Sequence, residues 1–127
     1  MIHIVDELRV RPGRLRAVRT RLGADYLPGA EARGMTLVGS WIAPAVELRD
    51  QPTHLIVLWS VPDVPSWWAM RRVANTDDAV RRFWEELAPD LEGRSRRMLA
   101  DAPLRDDAHS EGGPGGGPAG GNRGGPA

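Results

Sequence analysis

The sequence predicts an α+β domain in which one antiparallel sheet of four strands carries helices on a single face. Three observations lead there. The stretches IHIVDELRV (2–10) and THLIVLWSV (53–61) read as strands, the first alternating and the second nearly all apolar. Helical periodicity appears twice, between the first and second strands and between the third and fourth. The second and third strands are joined only by a proline-containing loop, so the order is β-α-β-β-α-β.

Each element has a local reason. Pro12-Gly13 turns the chain after the first strand. Leu15, Val18 and Leu22 then form one buried stripe, with Arg14, Arg16 and Arg21 pointing away. Gly23 and Pro28 are expected to bend or break this helix, and a second helical piece, about 25–33, ends at Gly34. The second strand spans about 35–43, and Glu47 and Asp50 lie in the loop that follows. The third strand reads as central and covered on both faces. The second helical region opens after Asp63, with Pro65 in its first turn. Asn75-Thr76 should interrupt it, with Thr76 as the next N-cap and Asp77 and Asp78 in the first turn. Val80, Phe83, Trp84 and Leu87 mark the following helix, Pro89 ends it, and a last strand runs over about 92–99.

Two split βαβ units of this kind define the ferredoxin-like fold. One layer of helices leaves the other sheet face bare, and a second copy is the simplest cover, so a homodimer is expected. The domain is assigned to residues 1–104. Residues 105–127 form a Gly/Pro-rich tail: twelve of the sixteen residues from Gly112 to Ala127 are Gly or Pro. Such a segment buries too little apolar surface to order itself, and disorder is expected.

Composition excludes several classes. With no cysteine there are no disulfides, thiolate metal sites or Cys nucleophile. The histidines, His3, His54 and His109, show no metal-ligand spacing. No metal or other cofactor is expected. Zero net charge gives no general pull toward nucleic acid. No apolar run reaches membrane-spanning length, and no signal peptide is read at the N-terminus, so a cytoplasmic, membrane-free protein is expected. Every basic residue is arginine, which fits a GC-rich genome better than a functional need.

The stretches ELRVRPGRL, LVGSW with its acidic loop, HLIVLW and AVRRFWEEL resemble the NIPSNAP-like members of the dimeric α/β-barrel superfamily, over about residues 1–100. The resemblance implies two ferredoxin-like sheets paired into a barrel, with pockets between sheet and helices. It also implies a range of roles: small cofactor-free cyclases and monooxygenases acting on polyketides, haem-degrading proteins, and members without a known reaction. The family pattern carries a basic residue where this chain has Asp6.

Asp6 is the residue that asks for a role. Ile2, Ile4, Leu8 and Val10 share its strand face, which should look toward the helices. An ionised carboxylate there must be paired, wetted or protonated. One reading is an ion pair with Arg9, Arg71, Arg94 or Arg96. The other is a pocket acid or base. His54 begins the neighbouring strand and could line the same cavity as a partner or oxyanion stabiliser; otherwise it is a structural histidine. His3 belongs to the interface or its rim. Trp41, Trp59, Trp67 and Trp68, with Tyr26, are the candidate walls for a flat apolar ligand, against core packing as the plain alternative. Trp67 and Trp68 diverge by about 100° on a helix, so one of them lines a cavity or stacks on Arg71 or Arg72.

The sequence thus points to a cofactor-free enzyme of cyclase, isomerase or monooxygenase type acting on a hydrophobic, aromatic or polycyclic molecule, with Asp6 and His54 catalytic. Its rival is a non-catalytic binder or accessory protein, a variant of which holds haem through His54 or His3. RNA binding shares the element order, but the third strand lacks the basic-Gly-aromatic pattern that stacks bases.

Overall fold

A computed structural model describes residues 1–105. The expected tail lies, Arg105 apart, outside the described residues. The elements are β1 Ile2–Val10, α1 Leu15–Arg21, a π-helical turn Leu22–Tyr26, α2 Leu27–Ala32, β2 Thr36–Ala43, β3 Thr53–Val61, α3 Val64–Thr76, α4 Asp78–Leu87, a 3₁₀ turn Ala88–Asp90 and β4 Leu91–Ala100. The sheet order is β2-β3-β1-β4 and every pairing is antiparallel. This is the ferredoxin-like arrangement that the element order predicts.

β1 alternates strictly. Ile2, Ile4, Asp6, Leu8 and Val10 are buried toward the helices, and the side chains between them are more open. Leu55, Val57, Trp59 and Val61 supply the same face of β3, and α1, α2, α3 and α4 close over it with Leu15, Val18, Ala30, Met70, Phe83 and Leu87. Among the described residues no layer covers the opposite face. It presents Val5, Ile56 and Leu58 between Glu7, Arg9 and His54, with Trp41 lying across Gly39 on β2. A methyl group at Gly39 would sit 2.9 Å from the Trp41 ring, so this glycine makes room for the indole. The expectation that β3 is covered on both faces therefore holds for one face of the single chain.

Two local expectations are corrected. Of the two outcomes expected at Gly23 and Pro28, a bend or a break, the helix is not broken. The chain passes through a π turn, closed by the Leu27 N–H on the Leu22 carbonyl. Pro28 then falls in the first turn of α2, where its missing N–H costs nothing. Thr76 is not the cap of α4 but the last residue of α3, its hydroxyl donating back to the Arg72 and Val73 carbonyls. Asp77 is extended and caps α4 by accepting from the Ala79 N–H. An aspartate cap competes well with threonine because its carboxylate also meets the positive end of the helix dipole.

Candidate functional site

The buried carboxylate is fully engaged. Asp6 lies directly across from Arg96 in the β1–β4 ladder. Arg96 Nε donates to Asp6 Oδ1 at 2.6 Å and Nη2 donates to Oδ2 at 2.8 Å. Trp59, diagonal to Asp6 on β3, donates its indole N–H to Oδ2 at 2.9 Å. Arg96 Nη2 also donates to the Tyr26 hydroxyl at 3.0 Å. Burial alone would pull the Arg96 guanidinium down, but the bonds and charge of Asp6, with Tyr26, outweigh it and hold the group above the ordinary arginine value.

Aromatic rings enclose this network. The Tyr26 ring packs edge-on against Trp59 and tilted against Phe83 and Trp84. Arg33 stacks on Tyr26, and Arg94 lies 3.9 Å from the centre of the Trp84 ring. The π turn is what carries Tyr26 inward: the residues just before it, from Gly23 to Asp25, are exposed, and Tyr26 is buried.

A cavity of about 430 Å³ opens beside the network, between α1 with its π turn and the β2–β3 edge of the sheet. Leu22, Leu27, Leu37, Leu55, Val57 and Trp59 form its apolar walls. Arg16, Arg19, Thr20 and Ser40 supply its polar groups. Trp59 belongs to both places: its ring is cavity wall and its N–H holds Asp6. Asp6 itself does not line the cavity.

Of the residues singled out from sequence, the structure brings Asp6, Tyr26 and Trp59 together. His54 lies elsewhere, which corrects the expectation of a shared cavity. It pairs with Arg9 in the ladder while Asp6 pairs with Val57, so the two side chains leave opposite faces of the sheet. The Glu7 carboxylate accepts from His54 Nδ1 at 2.7 Å on the open face, beside a hollow of about 270 Å³. His3 is on that open face too, 3.8 Å from Asp101. Trp41 is on the open face and half exposed. Trp67 and Trp68 pack edge-on together on α3, Arg71 stacks on Trp67, and neither indole reaches the cavity. Tyr26 touches Arg96 rather than the cavity. Among the described residues no cluster of His, Asp and Glu could hold a metal ion, and no helix is long and apolar enough to cross a membrane.

Sequence reasoning missed the polar rim of the cavity. Arg16 and Arg19 flank the Leu15–Val18–Leu22 stripe, and that position at the border of a helix's buried face was the available signal.

No protein-family model matches the chain, and no curated protein matches it. Solved structures do share its fold. An uncharacterized NIPSNAP domain protein from Burkholderia xenovorans superposes with a TM-score of 0.65 at 19% identity, covering 84% of this chain and 100% of its own. A NIPSNAP family protein from Agrobacterium tumefaciens gives 0.63 at 18% identity, covering 82% and 98%. A candidate antibiotic biosynthesis monooxygenase from Nitrosomonas europaea gives 0.57 at 11% identity, covering 80% and 98%. The chain therefore shares the ferredoxin-like fold of these NIPSNAP domain structures.

Proposed function

We propose that this protein binds a small hydrophobic molecule in the cavity between α1 and the β2–β3 edge, as a homodimer joined through its open sheet face, without acid–base chemistry on that molecule. One observation carries the reading. The only buried carboxylate among the described residues is closed off by Arg96 and Trp59, and the cavity walls hold no histidine, carboxylate or tyrosine. A base needs a free lone pair within reach of the proton it takes. Asp6 offers none to the cavity, so it serves as the anchor of an internal ion pair. The haem variant loses support because His3 and His54 are on the other side of the sheet. The open face, with Val5, Ile56, Leu58 and Trp41, is the apolar surface that a second copy would cover.

A catalytic reading retains one supporting feature, the indole shared by Asp6 and the cavity wall. It also has a precedent of fold in the Nitrosomonas protein. In that case Trp59 and at least one prong of Arg96 would have to release Asp6 before a proton could pass.

Native mass spectrometry of protein purified from its own host tests the proposal against Ser40→Trp, which fills the cavity from an exposed position on β2. The expected result is a dimer that retains a small-molecule mass, lost in the variant. A wild-type dimer free of ligand, or a mass that the variant keeps, would overturn it.

A further inference from the structure

The rim of the same cavity says which class of molecule fits. We infer that the ligand is an amphipathic organic carboxylate, its apolar body against Trp59 and the leucines and its carboxylate at Arg16 and Arg19; this rests on the cavity being the ligand site. Among the described residues, arginines at other positions are mostly accounted for. Arg9, Arg11, Arg14, Arg21, Arg81 and Arg96 pair with carboxylates. Arg33, Arg71 and Arg94 stack on aromatic rings; Arg33 Nε and Nη2 and Arg71 Nε find no hydrogen-bond partner among the described residues, but neither arginine borders the cavity. Arg16 and Arg19 make no ion pair, side-chain hydrogen bond or ring contact among the described residues, and they are the only charged residues on the cavity wall. A few further arginines also lack such partners, but none of those borders the cavity.

The placement is specific in two ways. Arg16 and Arg19 are three residues apart, so they rise from one side of α1. Thr20 and Ser40 add hydroxyls to the same lining. Guanidinium groups and hydroxyls are donors from which a carboxylate accepts, and no acid on the wall competes for them. The remaining wall is aliphatic and indole, which suits a hydrocarbon or fused-ring body rather than a sugar or a nucleotide. The volume of about 430 Å³ lies within the ordinary range for small-molecule sites.

Isothermal titration at neutral pH and low salt tests this with 1-naphthoic acid and decanoic acid, each against its methyl ester. Wild-type protein should bind the acids about tenfold or more tighter than the esters. The double substitution Arg16→Gln and Arg19→Gln should remove that preference and leave ester binding unchanged. Both positions are exposed on α1 and glutamine is a good helix former, so the variant keeps its fold. Acids and esters bound equally, both blocked by Ser40→Trp, would overturn the carboxylate inference while the cavity stands as the site. Acid binding that survives both the arginine and the Ser40 substitutions would place it elsewhere and overturn the inference as well. Failure of every probe to bind would count against both readings.

Discussion

Asp6 and Arg96 are direct cross-strand partners whose side chains meet in a two-pronged bond under the helical layer, with only 3% and 21% of their side-chain surfaces exposed. A pair so placed contributes little compared with apolar side chains of the same volume, but removing one member strands the other's charge. Asp6→Asn should therefore lower stability to urea by about 3–5 kcal/mol. The double substitution Asp6→Leu with Arg96→Met should recover most of that loss. A double variant as unstable as the sum of the singles would show that the two residues act independently. The arginine side of the pair resists alkali. Its folded value is raised, so its contribution is complete below the unfolded value and fades only as pH climbs through the folded one. Raising the pH from 7 to 10 should not weaken it.

Trp59→Phe keeps an aromatic ring in the cavity wall and deletes the indole N–H on Asp6. A hydrogen bond to a charged acceptor is worth about 1.5–3 kcal/mol, and the loss should fall there in equilibrium unfolding. Among the indole protons seen by NMR, that of Trp59 should exchange slowest, and those of half-exposed Trp41 and Trp68 fastest. A rapidly exchanging Trp59 proton would contradict the bond.

The open face gives a prediction about assembly. Leu58 sits on central β3 among Val5, Ile56 and Gly39. Leu58→Arg should leave the helical side of the sheet intact and shift sedimentation velocity from dimer to monomer. A variant that stays dimeric would move the contact to another surface, and a monomeric wild type would overturn the proposed dimer.

Asp63 caps α3 by accepting the Ser66 N–H at 2.8 Å. Ser66, through its side chain first and its backbone N–H second, holds the Asp63 carboxyl below the usual aspartate value. The sign follows: the cap contributes fully above the unfolded value and is lost as pH falls through the lower, folded one. Acid unfolding of wild type should therefore start at a higher pH than that of Asp63→Asn, measured relative to each protein's own stability at neutral pH, because asparagine caps without titrating.

Much of the fold was legible because period and punctuation agree. Alternation in β1 located Asp6 on the helical face, and the structure keeps it there. The limits were set by single-residue effects. Two neighbouring candidates, Thr76 and Asp77, compete to cap α4, and only backbone geometry decides between them. The π turn adds one residue to a helical turn, which hydrophobic spacing cannot register. Arg96 was one of four possible partners for Asp6, because ladder register follows from the whole sheet and not from either strand alone. His54 was misplaced for the same reason: a shift of one position along β3 changes the face of the sheet. The cavity depends on how far α1 stands from the β2–β3 edge, a distance that no local pattern encodes.

The 90 residues that separate Asp6 from Arg96 also bear on how the chain is made. During synthesis β1 emerges first, and both strands that flank it emerge later, β4 last of the described elements. Until β4 arrives, packing the inner face of β1 against the helices would bury a carboxylate without its counter-charge, at a cost of several kcal/mol. The ion pair that seals this face thus exists only once β4 has joined the sheet.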